Sequence, residues 1–349
     1  MDENFFWKFG KLLHIFSRGD FFKKIDAGRE KEEEVSSNLG KAKWIKTNFK
    51  NLRRNLNKYE IIYSKNELTD LILLKTIGYK KLPPVIIGVH TPLFFPQAAS
   101  FITKLHNLLY LGPFYKWLIS GAKFLHVSNK FTENLANKTY NIKSNLIYYP
   151  FSVEETRNTA KNQKFPLIFS KNKKNIFFSG RLSEQKGIGA LLRIIEKIGE
   201  NRLLADKICL NIFGVGGEEE NDKIKKMCEK HDFVKYFGHV PNKYIPDILS
   251  HQEVMITSSK WETLPFNVLE AQAMGIPVIS FDIPGPADII ENYVTGVLVD
   301  SEEAFIDFLA KIINEELSFK KELIIQNLSN KFDPETIHSK LLIMFKAAQ

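Results

Sequence analysis

The sequence predicts an α/β protein: parallel sheets with helices on both faces, in two domains. Three observations predict it. Apolar strand segments alternate with helical ones over most of the chain, which is the rhythm of a parallel sheet. A length of 349 residues, 44% hydrophobic and 26% charged, suffices for two buried cores. Residues 254–280 spell out one complete unit of strand, loop, helix and strand.

Residues 1–57 are helical in tendency. Phe5, Phe6, Phe9, Leu12, Leu13 and Phe16 make an apolar stripe beside lysines, and residues 30–34 are a charge run that reads as a solvated helix face. Residues 41–58 are strongly basic, with Trp44, Ile45, Phe49 and Leu52 at near-helical spacing. Either stripe fits packing on the protein or a membrane surface. Residues 59–64 read as a strand, 68–77 as a helix and 85–90 as a second buried strand. Residues 124–128 are a third strand, followed by a helix over 130–139, and 145–149 a fourth.

Residues 91–123 are unusual. Leu93, Phe94, Phe95, Phe101, Leu105, Leu108, Phe114, Tyr115 and Trp117 interleave with Lys104, Lys116 and Lys123. Residues 71–150 hold nine Lys+Arg and one acidic residue, Glu133. The uncharged run 82–103 is long enough to span a bilayer, but Pro83, Pro84, Pro92 and Pro96 argue against a continuous helix. Such a segment fits an anionic membrane surface. It fits equally a core helix with snorkelling lysines.

Residues 151–174 read as the interdomain linker. The second domain opens with a strand over 175–180 that ends at Gly180, where a tight turn and close backbone approach are permitted. A helix over 190–198 follows. Residues 209–214 form a strand running into a Gly-rich turn, then a helix over 222–230. That turn lacks the first-strand position and the acidic partner of a dinucleotide-binding oxidoreductase. Residues 233–238 are a strand, and 254–258 another. Pro265 suits the first turn of the next helix, whose apolar period runs to Met274; Gly275 is its stop and Pro277 forbids continuation. The loop before this helix lies at the carboxyl end of a strand, where open α/β sheets bind ligands, and the helix N-terminus suits a phosphate.

Charge and cysteine content narrow the function. The net charge of +9 is uneven: residues 1–150 hold 24 Lys+Arg against 12 Asp+Glu, the remainder 25 against 28. Either an anionic surface or ligand meets the first half, or its lysines are solvated and serve solubility. No nucleic-acid motif accompanies the charge, so nucleic acid is not expected as a partner. Two cysteines, Cys209 and Cys228, support neither a disulfide framework nor a zinc site and fit a reducing cytosol. Met1-Asp2-Glu3 lacks the basic start of a secretory leader, so none is expected.

The run Trp261-Glu262-Thr263-Leu264-Pro265-Phe266, followed by Glu270-Ala271, Ala273, Gly275 and Pro277-Val278-Ile279-Ser280, resembles the donor-site signature of retaining glycosyltransferases of family 4. Gly180-Arg181-Leu182 with Lys186-Gly187 is similar to the same group's Gly-Arg-Leu-x-x-x-Lys-Gly stretch. The resemblance covers residues 175–300 well and 59–150 more loosely. It implies the GT-B fold: two Rossmann-like, doubly wound domains facing across a cleft. Residues 1–150 would be the acceptor-side domain with an atypical start, 151–174 the linker and 175–330 the nucleotide-sugar domain. Residues 331–349 would be a helix crossing back. Family members usually open with a strand and a Gly-rich loop, and residues 1–57 show no such loop.

The resemblance also implies roles. Arg181 and Lys186 would hold the nucleotide diphosphate, helped by Gly180 and the N–H groups of Thr263, Leu264 and Pro265's neighbours. Glu270 would hold the donor ribose, Glu262 the donor sugar, and Val240 the base. His90, at its strand end, would contact the donor sugar; a buried histidine satisfied by backbone is the alternative. No Asp-x-Asp triplet is present, so no metal and no other cofactor is expected. The expected activity is retaining transfer of a sugar from a nucleotide-sugar donor to a glycan or lipid-linked acceptor in polysaccharide or glycoconjugate biosynthesis. The expected location is cytoplasmic, peripheral on the inner face of the cell membrane through residues 91–123. The alternatives are a catalytically degraded GT-B scaffold or binding protein, and a GT-B epimerase or phosphorylase.

Overall fold

Short runs rich in isoleucine, valine and phenylalanine form two parallel sheets, one in each of two units. The computed structural model describes residues 12–15, 31–37, 40–46, 49–95, 101–166 and 169–349. One unit comprises residues 1–150 and 335–349, the other residues 151–334.

The first unit begins with β1 (Leu12–Ile15), a hairpin of β2 (Lys31–Ser37) and β3 (Gly40–Lys46), and α1 (Phe49–Leu56). Then come β4 (Ile61–Lys65), α2 (Leu68–Ile77), β5 (Val85–Val89), α3 (Phe101–Leu111), α4 (Pro113–Ile119), β6 (Phe124–Val127), α5 (Lys130–Thr139) and β7 (Ser144–Leu146). The sheet order is β1-β4-β5-β6-β7, all parallel. Ile62, Ile87, Leu125 and Val127 from the strands and Leu71, Leu74, Tyr115 and Leu118 from the helices are buried in one core. Each fully buried side chain of this size contributes about 1.5–3 kcal/mol.

The helical reading of residues 1–57 holds at Phe49–Leu56 and is corrected at 12–15, 31–37 and 40–46. Leu12 and Leu13 lie on a strand paired with Ile61 and Ile62, not on a helical stripe; Phe5, Phe6, Phe9 and Phe16 lie outside the described residues. The charge run is an edge of a hairpin, whose register sets Glu34 across from Lys43 and Glu33 across from Trp44. Among the described residues of the basic stretch, Phe49–Leu56 are helical and Gly40–Lys46 are a strand. β7 is also shorter than expected, ending at Leu146.

The second unit opens with α6 (Val153–Asn162), so the stretch 151–174 is not a bare linker. Ser152 caps this helix, its Oγ accepting from the Glu155 N–H at 3.1 Å. Next are β8 (Lys174–Ser179), α7 (Ile188–Glu200), α8 (Arg202–Ala205), β9 (Ile208–Phe213), α9 (Glu218–Lys230), β10 (Val234–Gly238) and α10 (Ile245–Leu249). The unit closes with β11 (Val254–Thr257), α11 (Phe266–Ala273), β12 (Val278–Phe281), α12 (Pro286–Ile289), β13 (Gly296–Val299), α13 (Glu302–Ile313) and α14 (Lys321–Phe332). The last helix, α15 (Pro334–Ala348), belongs from Glu335 onward to the first unit, where Phe345 packs edge-on against Tyr63 at 6.1 Å.

The second sheet is parallel, in the order β10-β9-β8-β11-β12-β13. Its chain runs outward one way from β8 through β9 to β10, then returns to the other side of β8 as β11. The topological switch point thus lies between β8 and β11, and ligands of open α/β sheets bind at the carboxyl ends of the strands there. Ile176, Leu210, Ile256 and Ile279 from the strands, with Ile194 and Phe305 from α7 and α13, fill the core. Among the described residues no helix is long and apolar enough to cross a membrane.

Candidate active site at the switch point

Two loops meet where β8 and β11 end. The first, after Ser179, carries Gly180, Arg181 and Lys186; the second, after Thr257, carries Glu262 to Pro265. The geometry demands glycine at two places. Gly187 has φ +68°, and a Cβ there would stand 1.8 Å from the Ser258 carbonyl oxygen. Gly214, at the end of β9, has φ +123°, and its Cβ would stand 1.9 Å from the Gly180 carbonyl oxygen. Three backbones therefore approach more closely than any side chain allows.

Hydrogen bonds lock the two loops together. Ser258 Oγ donates to the Lys186 carbonyl at 3.0 Å, and the Lys260 N–H donates to the Gln185 carbonyl at 2.9 Å. Asn267 Nδ2, in the first turn of α11, donates to the Ser179 carbonyl at 2.7 Å. At the centre, Lys186 Nζ and Glu262 Oε1 form an ion pair at 2.5 Å, with only 17% and 9% of the two side chains exposed. The same Glu262 oxygen accepts from Ser259 Oγ at 2.8 Å. Arg181 is exposed and reaches Gln185 Oε1 at 3.1 Å. Gly285, φ +94°, backs the Glu262–Thr263 turn; a Cβ there would come 3.0 Å from Glu262 Cβ.

Helix α11 starts one residue later than expected, with Pro265 as the flanking N-cap rather than inside the first turn. It ends in a Schellman turn: the Gly275 N–H reaches the Gln272 carbonyl and the Ile276 N–H the Ala271 carbonyl, both at 2.9 Å, with Gly275 at φ +75°. Glu270 lies in the last turn, half-buried, and burial pushes its carboxyl up to about 7. Leu264 and Pro265 are buried under the loop, while Thr263 is half-buried. Val240 follows β10, two strands away from β8 in the sheet order, and is half-buried.

His90 sits in the first unit, one residue past β5, in a chain of four side chains. His126 Nε2–H donates to the Ile147 carbonyl at 2.9 Å, because a carbonyl only accepts. Burial pushes His126 down to about 4, so its ring is neutral and Nδ1 accepts, at 2.6 Å, from the Tyr63 hydroxyl. Burial also holds the Tyr63 phenol well above its ordinary value, so it keeps its proton. That proton is committed to His126, and the Tyr63 oxygen must accept from His90 Nε2–H at 2.8 Å. In neutral His90 the remaining nitrogen, Nδ1, accepts from Tyr149 Oη at 2.8 Å. Gly88 makes room, since a Cβ there would stand 2.3 Å from Tyr63 Oη. Both ring nitrogens of His90 thus lie within hydrogen-bond reach of tyrosine hydroxyls.

The structure brings Gly180, Lys186, Glu262 and the start of α11 to one sheet edge. Ser259, Gln185 and Asn267 join them there, and only their nearness to the recognised motifs pointed to them. Tyr63, His126 and Tyr149 carried no sequence signal, since each is separated from His90 by 27 to 59 residues or lies on another strand.

Residues 159–330 match the family described as Glycosyl transferases group 1. That stretch is similar in sequence to the group 1 glycosyl transferases. The transferase segment holds both loops of the switch point. Over a longer span the chain is similar to an uncharacterized 41.2 kDa protein in the cps region of Klebsiella pneumoniae, 26% identical over 333 residues, covering 86% of this chain and 87% of that protein. It is 29% identical over 224 residues to the amylovoran biosynthesis glycosyltransferase AmsD of Erwinia amylovora, covering 62% of this chain and 58% of that protein. Among solved structures, Anabaena Alr3699/HepE in complex with UDP aligns with a TM-score of 0.64 at 16% identity, over 86% of this chain and 82% of that one. Sucrose-phosphate synthase from Thermosynechococcus elongatus aligns with a TM-score of 0.66 at 16% identity, over 90% and 82%. With its two parallel α/β units, the chain has the GT-B fold of these solved structures.

Proposed function

We propose that the chain is a retaining, metal-independent glycosyltransferase that moves a hexose from a nucleotide-sugar donor to a glycan or lipid-linked acceptor in polysaccharide biosynthesis. The observation that carries the reading is the Lys186–Glu262 pair at the switch point, between a glycine-built turn and a helix N-terminus. The match of residues 159–330 to the group 1 glycosyl transferases supports transfer. The cps-region and amylovoran relatives support a polysaccharide product, and the neighbour holding UDP supports a nucleotide donor.

Lys186 and Arg181 take the diphosphate, Lys as a point charge and Arg as a planar fork. The N–H groups that open α11 after Thr263, Leu264 and Pro265 add dipole to the same oxygens. Their task is to stabilise the leaving diphosphate as the glycosidic bond breaks, which is commonly worth about 3–4 kcal/mol per donor. Glu262, released from Lys186 by the competing diphosphate, accepts from the sugar hydroxyls. Glu270 accepts from the ribose hydroxyls, and Val240 lines the base. The leaving phosphate oxygen takes the acceptor proton on the same face from which the sugar is attacked, which retains configuration. A lipid-linked acceptor brings the chain to the inner face of the cell membrane, where we propose a peripheral location.

Glu262→Gln tests the reading. Turnover should be lost while nucleotide binding persists or tightens, since Lys186 no longer faces a carboxylate. Unchanged turnover, or activity abolished by EDTA in the wild type, would defeat the assignment or its metal independence respectively.

A further inference from the structure

Helix α3 is built inside out. Its eleven residues are mostly apolar, yet none is buried. Of its polar residues, His106 and Asn107 face the protein, while Lys104 is exposed. His106 Nε2–H donates to the Pro92 carbonyl at 3.0 Å, and Asn107 bonds the Phe95 N–H and carbonyl at 2.8 and 2.9 Å. His106 also stacks on Phe95 and Tyr110, at 4.7 and 4.3 Å between centroids. Tyr110 packs on the core, but one set of apolar residues faces away. Phe101, Leu105 and Leu108 recur at one helical face and are 79%, 51% and 72% exposed. Helix α4 continues the pattern: Tyr115, Leu118 and Ile119 are buried, while Phe114 and Trp117 stack on each other at 6.0 Å and stay exposed. Lys75 holds Trp117 in place, its Nζ lying 4.9 Å from the indole and donating to Ser120 Oγ at 2.7 Å.

Single exposed apolar side chains are ordinary, but a contiguous set on two adjoining helices marks an interaction surface. Charge decides the partner. Residues 71–150 hold nine lysines against Glu133, and Lys104, Lys116 and Lys123 are exposed on and beside the two helices. A second copy meeting this face would bring like charges together, whereas an anionic surface would be attracted. At eleven residues α3 is too short to span a bilayer and long enough to lie on one.

We propose that the outward face of α3 and α4 docks on an anionic lipid bilayer. Phe101, Leu105, Leu108 and Trp117 enter the interface, and Lys104 and Lys116 stay at the headgroup phosphates. The proposal gives a surface to the peripheral location above and rests on it, but it needs neither nucleotide nor turnover.

Flotation of the full chain with phosphatidylcholine vesicles, with and without phosphatidylglycerol, tests it. The protein should float only with the anionic vesicles at low salt, with a blue shift of tryptophan emission that Trp117→Phe removes. Lys104→Gln and Lys116→Gln should each weaken binding about fivefold. The triple variant Phe101→Ser, Leu105→Ser, Leu108→Ser should melt as the wild type does and stay unbound. Wild type that ignores anionic vesicles, or a triple variant that binds them equally, overturns the proposal. So does a wild-type dimer in light scattering that the triple variant dissolves, because the face would then join two copies. Calorimetry with UDP, GDP and ADP on the same preparation keeps the two readings apart: nucleotide binding without vesicle binding counts only against the membrane face.

Discussion

Glu270→Gln should stabilise the transferase segment, and more so at high pH. The Glu270 carboxyl is half-buried on α11 with no ion-pair partner among the described residues, and burial pushes it from 4.5 up to about 7. A folded-state value above the unfolded one means that the neutral form's stability is fully present below about pH 4.5 and lost as pH rises through about 7. The penalty grows to about 1.4 kcal/mol at pH 5.5 and about 3.4 kcal/mol at pH 8.5, at about 1.36 kcal/mol per unit. Glutamine carries no such penalty and keeps the shape. The variant's advantage over wild type should therefore grow by about 2 kcal/mol between those two pH values in urea unfolding. A ribose in the site would accept the proton's place by donating hydroxyls to the carboxylate, so nucleotide binding should lower the Glu270 value. A stability difference independent of pH, or a carboxyl that titrates near 4.5 by carbon NMR, would refute the burial argument.

Two further outcomes are expected. Gly187→Ala forces a side chain into φ +68° and against the Ser258 carbonyl, so unfolding should become easier by about 2–4 kcal/mol, and a wild-type melting curve would contradict the loop packing. Tyr63→Phe leaves His126 Nδ1 without a donor and His90 Nε2–H without an acceptor; it should cost about 1–3 kcal/mol. Nitrogen NMR of the wild type should find both rings as the Nε2–H tautomer, and an Nδ1–H signal from His126 would break the chain of assignments.

The parts legible in the sequence are those where one residue type has one physical use. Gly275 after a helical period, and Pro277 beyond it, fix the end of α11 because no other residue takes that conformation as easily. A buried strand such as β5 stands out as an uninterrupted run without a polar side chain. Residues 1–57 were misread because β1 is four residues long, and its leucines satisfy a helical and an extended pattern alike. Helix α6 was hidden in a polar stretch, although Ser152 followed by Glu155 is a capping signal that would have exposed it. At the site, the glycines and charges were visible, but the pairing of Lys186 with Glu262 was not, because it depends on two loops 76 residues apart meeting at the switch point. The engagement of both His90 nitrogens was equally out of reach, since its partners come from β4 and from the residues after β7.

The most direct measurement is calorimetric titration of UDP, GDP and ADP into the wild type, Glu262→Gln and the double variant Lys186→Met, Glu262→Gln. The double variant removes both charges together, so no buried carboxylate is left unpaired. The wild type and Glu262→Gln should bind one of the three nucleotides, and the double variant should bind it about ten- to a hundredfold more weakly. Binding that survives the loss of Lys186 undiminished, or no binding by the wild type at all, would contradict a diphosphate site at this sheet edge.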